Sequence, residues 1–260
     1  MKALPLILIA GWGHTGKTML RLKEALDGYL VQVTSTDELW PTQSSAALPH
    51  SPGLSRYAVG LHNLLAIRRL TDGRAGVIGW SMGGIVALET AREYPGLLQR
   101  LVIISGTARF CAGNDAPPGV SASVLRAMAL GLRRTPDSVL AAYYDQVYAP
   151  QSVPMAVAAT RLVGRGVPAE PCPLDRDELI QGLNYLKQTD LRSSLNQLAV
   201  PTLVVHGRED RIVPWQAGEW LSRALAVSQW RCYEGLGHAL PIQAAPRLAA
   251  DIRAFLGDAA

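Results

Sequence analysis

Cysteine, lysine and long apolar runs are all scarce in this sequence. Three cysteines, widely spaced among 260 residues, exclude a disulfide framework and a paired-cysteine metal site. No apolar run approaches the ~20 residues that cross a bilayer. The apolar start "MKALPLILIA" has no small-residue cleavage site, so we interpret it as a buried strand rather than a signal peptide. The sequence therefore predicts a reduced, cytoplasmic protein with no membrane partner.

The charge balance does not indicate nucleic-acid binding. Lysine and arginine together number 25 against 21 aspartates and glutamates, for a net charge of +4. Only four of these basic residues are lysines, so most of the positive charge lies on arginine, which makes forked contacts with carboxylates and phosphates. With 48% hydrophobic and 18% charged residues, the composition is that of a packed globular protein.

Short apolar runs alternate with longer amphipathic segments, which is typical of an α/β fold with a mainly parallel sheet flanked by helices. The predicted strands are "LPLILIAG", "VQVTST", "AGVIGWS", "RLVIISG", "TLVVHG" and "WRCYEG". Between residues 107 and 199 no strand is predicted. Apolar pieces such as "SVLAAYYDQVY" favour a folded helical cap there over a linker. The predicted organisation is a core of residues 1–106 and 200–260 with a cap inserted at 107–199.

The strongest chemical signal is "VIGWSMGG", which contains G-x-S-x-G between a predicted strand and a predicted helix. That context is typical of a nucleophile elbow, a turn so tight that glycines must flank the exposed serine. The N-terminus of the following helix also favours negative charge beside the serine. Ser81 is therefore the predicted nucleophile, and an incidental serine in a glycine-rich turn is the alternative.

A serine hydroxyl is a weak nucleophile, so a histidine and an acid should accompany it. Only His206 and His238 follow Ser81 in the chain. His238 lies in the glycine-flanked loop "EGLGHALP" and is the predicted base, whereas His206 ends a strand and is interpreted as a packing residue. Asp210, in "VVHGREDRIVP", is the predicted acid, with Glu209 as its near competitor.

These motifs resemble those of the α/β-hydrolase superfamily over nearly the whole chain. Within it, the chain is similar to the pimeloyl-carrier-protein methyl ester esterases of biotin synthesis. The similarity lies in "GWG", "GWSMGG", "GHALP" and the long run "GLNYLKQTDLRSSLNQLAVPTLVVHGREDRIVP". It implies the α/β-hydrolase fold and hydrolysis of an acyl ester by a Ser-His-Asp triad, with no cofactor or metal. Ala10 departs from the family, which usually has a histidine there.

A glycine-rich segment, Gly11–Thr18, matches the letters of a phosphate loop, which leaves nucleotide binding as a remote alternative. A phosphate-loop enzyme also needs an acidic residue after a second apolar strand to manage Mg²⁺, and "RLVIISG" ends without one. The family resemblance implies instead that the backbone N–H groups of Trp12 and Met82 form an oxyanion hole. Lys17 and Thr18 then simply begin a helix.

The resemblance also implies a substrate site beneath the cap. Trp12, Trp80 and Met82 are expected to wall the acyl site. Tyr143 falls where the family has a cap aromatic, and Tyr144 is the second choice for that position.

Positive charge is concentrated in the predicted cap. Between residues 121 and 165, five arginines stand against two aspartates, which leaves a net charge of +3; the arginines are Arg126, Arg133, Arg134, Arg161 and Arg165. This excess is either a solvated surface or a docking patch for an acidic acyl-carrier protein that presents the ester. The favoured substrate is thus the methyl ester of pimeloyl-acyl-carrier protein. A general small-ester or thioester hydrolase and a non-enzymatic binding protein are the alternatives, and the protein is expected to be a monomer.

Overall fold

The computed structural model describes residues 4–39, 54–68, 75–113, 117–152 and 175–257. Within them the chain forms a six-stranded sheet in the order β2-β1-β3-β4-β5-β6, and all neighbouring strands are parallel. The strands are β1 (Leu6–Ile9), β2 (Val31–Thr34), β3 (Ala75–Trp80), β4 (Leu98–Ile104), β5 (Thr202–Gly207) and β6 (Ser228–Tyr233). Each overlaps one of the six apolar runs, and the predicted fold class is confirmed.

Position in the sheet explains the composition of the strands. Every residue of β1, β3 and β5 is buried, as expected where helices cover both faces of a parallel sheet. Their sequences are accordingly almost continuous apolar runs. At one edge, β6 alternates half-buried with exposed residues over most of its length, and its sequence "SQWRCY" mixes polar and apolar side chains.

Helices join and cover the strands. Their bounds are α1 (Leu20–Ala25), α2 (Arg56–Ile67), α3 (Met82–Glu93), α4 (Ala122–Arg134), α5 (Pro136–Tyr148), α6 (Arg176–Gln188), α7 (Trp215–Ala224), α8 (Leu240–Gln243) and α9 (Ala245–Leu256), with 3₁₀ helices at Gly16–Met19 and Arg192–Gln197. Helix α1 packs against α9, and α2 packs against α3. Among the helices in the described ranges, none has the length and apolar character needed to cross a membrane.

Among the described residues between β4 and β5 there are three helices, α4, α5 and α6, which we call the cap helices. The described residues of this interval otherwise contain only isolated bridges and a 3₁₀ helix. Two hydrogen bonds join the cap helices to Trp12 in the core: Trp12 Nε1 donates to Leu179 O at 2.8 Å, and Tyr143 Oη donates to Trp12 O at 2.9 Å. Arg161 and Arg165 lie outside the described residues. The division into core and cap stays a prediction.

A buried carboxylate also connects the cap helices to the core. Glu89, on α3, is only 5% exposed and accepts hydrogen bonds from Tyr185 Oη on α6 at 2.8 Å and from Ser55 Oγ at 2.6 Å. Burial, and then the neighbouring charge of Glu89, raises the pKa of the Tyr185 phenol well above its usual value. The phenol therefore remains a hydrogen-bond donor at physiological pH.

We expect Tyr185→Phe to lower the free energy of unfolding by about 1–3 kcal/mol, because a buried charged acceptor then loses one donor. Tyr94→Phe is the matched control, since the Tyr94 hydroxyl has no hydrogen-bond partner among the described residues. Urea denaturation at neutral pH measures both variants. Equal effects of the two substitutions would contradict a bridging role for Glu89.

Candidate active site

Ser81 occupies a strained turn between β3 and α3. Its φ of 55° and ψ of −119° are unusual for a residue with a side chain. The turn is possible because the residues two positions before and two positions after Ser81 are glycines. A Cβ on Gly79 would collide with the Gly83 carbonyl, and a Cβ on Gly83 would lie 2.5 Å from Ile9 O. The sequence motif therefore forms the predicted elbow, with Ser81 facing a cavity.

Asp210 and His238 meet beside this turn, each in the loop that follows a strand. His238 Nδ1 lies 2.7 Å from Asp210 Oδ2, and both side chains are completely buried. The other carboxylate oxygen accepts the backbone N–H groups of Ile212 and Val213, each at 2.8 Å. Burial alone would raise the pKa of Asp210, but the charge of His238 and hydrogen bonds from His206 and His238 hold that pKa well below its usual range. The carboxylate is therefore ionised.

The ionised carboxylate determines the tautomer of His238. A carboxylate only accepts hydrogen bonds, so Nδ1 carries a proton, and in the neutral imidazole Nε2 then has the free lone pair. Nε2 has no hydrogen-bond partner among the described residues. The loop is held in place by Trp80 Nε1, which donates to His238 O at 2.8 Å. Because Trp80 immediately precedes Ser81, this bond links the histidine loop directly to the elbow.

The loop after β1 approaches the elbow closely. A Cβ on Gly11 would lie 3.0 Å from Ser81 Cβ, which is closer than ordinary contact, so glycine favours this approach. Trp12 follows at once, and Met82 is the first residue of α3. The two residues predicted to form an oxyanion hole thus flank the serine, one from each side.

A cavity of about 420 Å³ separates Ser81 from the cap helices. Most of its wall is apolar and comes from Trp12, Phe110, Val120, Val124, Leu125, Ala127, Met128, Val139, Ala142, Tyr143, Leu183, Leu186 and Ile212. Besides Ser81, the polar side chains in its lining are Gln146 and Arg211.

The cavity contains only part of the predicted substrate site. Trp12 and Tyr143 line it, whereas Tyr144 does not and instead donates to Gly13 O at 2.6 Å. Trp80 and Met82 are absent from its lining, so their assignment to the acyl site stays a prediction. The strained turn directs Ser81 into the cavity and its two neighbours into the core, where they are 0% and 1% exposed.

Comparison with known proteins agrees with this geometry. The model of the alpha/beta hydrolase family matches residues 6–252. The chain belongs to the alpha/beta hydrolase family. The esterase from Exiguobacterium antarcticum has the same fold, with a TM-score of 0.81 and 18% identity over 98% of this chain and 93% of that one.

Several relatives carry the name pimeloyl-[acyl-carrier protein] methyl ester esterase. The protein of Nitrosomonas europaea is 34% identical over 169 residues, which are 64% of this chain and 65% of the relative. That of Neisseria meningitidis serogroup A is 30% identical over 250 residues, 96% of this chain and 75% of the relative. These relatives confirm the resemblance found in the motifs and support the assignment of this family member as a carboxylic ester hydrolase.

Within this family fold, the segment Gly11–Thr18 is a loop leading into a 3₁₀ helix. The Thr18 hydroxyl donates to Thr15 O at 2.8 Å instead of facing outward to a ligand, and Lys17 is exposed on the helix. Among the described residues, no cluster of histidine, cysteine or acidic side chains could hold a metal ion. The segment thus has the geometry of an ordinary strand-to-helix connection.

His14 is a site residue that the sequence analysis missed. Its buried ring lies 4.6 Å from the Trp80 ring and 5.2 Å from the Tyr144 ring, centroid to centroid. Burial, and then the charge of His238, lowers the pKa of His14 to about 3. The imidazole is therefore neutral beside His238 at physiological pH. The motif letters hid this residue, because the phosphate-loop pattern accepts any amino acid at that position.

His206 does more than pack the end of β5. Its buried Nε2 lies 2.9 Å from Val213 O and 3.1 Å from Asp210 Oδ2. Both partners can only accept, so Nε2 carries a proton and donates to them. The expectation of a packing residue is correct but incomplete, because His206 is also a donor to Asp210. Its spacing of four residues from Asp210, across the end of a strand, is the signal that could have indicated this.

We expect the His206 donor to stabilise the fold only while Asp210 is ionised. Because the folded pKa of Asp210 is depressed, its contribution is complete above the unfolded pKa of about 4 and is lost as pH falls towards the folded pKa. His206→Phe removes the donor, whereas His206→Gln retains an N–H, and both lack the imidazole.

The free energy of unfolding of the Gln variant should exceed that of the Phe variant by about 1–3 kcal/mol near pH 7. This difference should narrow below pH ~4 as the unfolded carboxyl becomes protonated. Denaturant titrations between pH 3 and 7 measure it. A difference that does not change with pH would show that the two variants differ only in packing.

Proposed function

We propose that this protein is a serine carboxylesterase in which Ser81, His238 and Asp210 act as the catalytic triad. The observation that carries the proposal is the 2.7 Å contact between Asp210 and His238 Nδ1, with Nε2 unpartnered among the described residues. In the neutral imidazole, Nε2 is then the nitrogen that can accept a proton. Nε2 takes the proton of Ser81 as Oγ attacks the ester carbonyl. Asp210 stabilises the imidazolium that results.

The tetrahedral intermediate needs donors for its oxyanion. In this proposal, the backbone N–H groups of Trp12 and Met82 supply them, and the N-terminus of α3 adds a positive potential. Collapse of the intermediate transfers the proton from His238 to the departing alkoxide, which leaves as the alcohol. Water then attacks the acyl-enzyme with His238 again as base, which releases the carboxylic acid and restores the Ser81 hydroxyl.

The proposed substrate is the methyl ester of a pimeloyl chain attached to an acyl-carrier protein. The names of the relatives motivate this choice. An apolar cavity of about 420 Å³ next to Ser81 suits an aliphatic acyl chain. The products are then methanol and a carrier-bound chain with a free carboxylate.

An acidic carrier is proposed to dock in a groove between α4 and α6, which we call the cap groove. Arg126, Arg133 and Lys187 line it, together with Leu130, which is 64% exposed. Three cations around an exposed leucine fit a partner that is acidic with an apolar centre. If these cations have no partner, the enzyme is a small-ester hydrolase with the same triad.

The triad is tested by active-site labelling and by kinetics on short p-nitrophenyl esters. A fluorophosphonate should modify Ser81, and Ser81→Ala should abolish the adduct. Asp210→Asn should lower kcat by about 10³–10⁴, because the histidine loses the correct tautomer. Glu209→Gln is the matched control at the neighbouring acid and should retain activity. A large loss from the Glu209 variant instead would mean that the acid is misassigned.

Carrier docking is tested by charge reversal within α4. Arg133→Glu should lower kcat/KM for the carrier-bound ester, mainly through the association rate, because a steering charge is inverted. Arg134→Glu is the matched control, since that arginine is exposed on the same helix but does not line the cap groove. Raising the ionic strength should also lower kcat/KM for the carrier-bound ester and leave a p-nitrophenyl ester unaffected. If the two reversals act equally, the cap groove is not the docking surface.

A further inference from the structure

The catalytic cavity opens to solvent between α4, α5 and the loop after β5. The lining residues that are themselves exposed mark this opening, and they are Val124, Ala127, Ala142, Gln146 and Arg211. We call this set the mouth. The remaining lining residues are buried or half-buried, with Ser81 among the buried ones.

Among the described residues that line the cavity, Arg211 is the only one with a charged side chain. No ion pair or hydrogen bond joins its guanidinium to any other described residue. The carboxylate nearest in sequence, Asp210, is fully used, because one oxygen accepts two backbone N–H groups and the other accepts His238. As far as the structure describes the chain, the mouth therefore combines a guanidinium that has no ion-pair partner with an otherwise apolar rim, in which Gln146 is the one other polar side chain.

From this arrangement we propose that Arg211, assisted by Gln146, binds an anionic group of the substrate at the mouth while the ester reaches Ser81 inside. The inference rests on the proposed esterase function and adds a second recognition point to it. A guanidinium makes two parallel hydrogen bonds to a carboxylate or a phosphate, and the Gln146 amide can donate a further one.

Two sources can supply such an anion. One is the free carboxylate of a half-ester, a dicarboxylic acid esterified at one end only. The other is the phosphodiester of the prosthetic arm that carries an acyl thioester on a carrier protein. In both cases the substrate is held at its two ends, by Ser81 and by Arg211. The separation of these two points then selects the chain length between ester and anion.

Four synthetic probes distinguish these sources. The first pair is the monomethyl and dimethyl esters of pimelic acid, which differ in one negative charge. The second pair is the methyl pimeloyl thioester of pantetheine, with and without its phosphate. Wild-type enzyme should show a higher kcat/KM for the anionic member of at least one pair. Arg211→Gln should reduce that preference about tenfold, chiefly through KM.

The matched control is Arg223→Gln. Arg223 is an exposed arginine on α7 that pairs with Glu219 at 2.9 Å and does not line the cavity. The Arg223→Gln substitution should leave the preference for anionic over neutral probes unchanged. A response of the carboxylate pair alone identifies a half-ester site, and a response of the phosphate pair alone identifies a carrier-arm site. Either response supports an anion site at Arg211.

Two results would overturn the inference. The first is a wild-type enzyme that does not distinguish anionic from neutral probes in either pair. The second is an Arg211 variant that slows the anionic and neutral probes equally, because Arg211 would then act only by supporting the Asp210 loop.

If no probe is hydrolysed, the proposed function fails, and the inference is tested by binding alone. Calorimetry with Ser81→Ala, with and without Arg211→Gln, compares the dissociation constants of the anionic and neutral probes. If the Ser81→Ala variant prefers the anionic probe and the double variant does not, the site is supported independently of any reaction. If the Ser81→Ala variant alone binds the anionic and neutral probes with equal dissociation constants, the inference is refuted.

Discussion

The close approach of three backbone segments is the constraint on which the site depends. At this point β1, β3 and the start of α3 come so near that a Cβ on Gly83 would lie 2.5 Å from Ile9 O. Gly11 allows the same closeness between the loop after β1 and Ser81. A side chain at either position would push the segments apart. The strained turn at Ser81 and the adjacent Trp12 loop are thus two consequences of one contact.

Near that contact, hydrogen-bond donors compensate for the burial of the Asp210 carboxylate. A buried carboxylate is unfavourable unless hydrogen bonds replace its lost hydration. Asp210 receives two backbone N–H groups and two imidazole N–H groups, from His206 and His238. His14 contributes by staying neutral, because a second cation beside His238 would oppose formation of the imidazolium. The site can therefore form one positive charge, on His238, next to a fixed negative one.

The sequence predicts the fold well because parallel strands covered on both faces must be apolar along their length. It predicts the elbow and the Asp210–His238 pair for a similar reason: glycine spacing and strand ends are local features of the chain. The donor role of His206 depends on the orientation of its ring across a strand end; the four-residue spacing from Asp210 indicates proximity but does not define that orientation. The burial of Trp80 and Met82 on either side of Ser81 depends on the backbone of this strained turn, which the motif letters do not specify.

The cavity and the cap groove share part of their walls, which the cap helices provide. Leu125 and Leu183 line both, and they are only 3% and 2% exposed. A chain in the cavity and a partner in the cap groove would therefore press on opposite sides of the same two side chains. Because packed interiors transmit small displacements, we expect that occupancy of one site would alter the shape of the other. Under the proposed docking, the coupling between the two sites is reciprocal. If a carrier in the cap groove strengthens binding of the acyl chain in the cavity, then the inserted chain must strengthen binding of the carrier by the same factor.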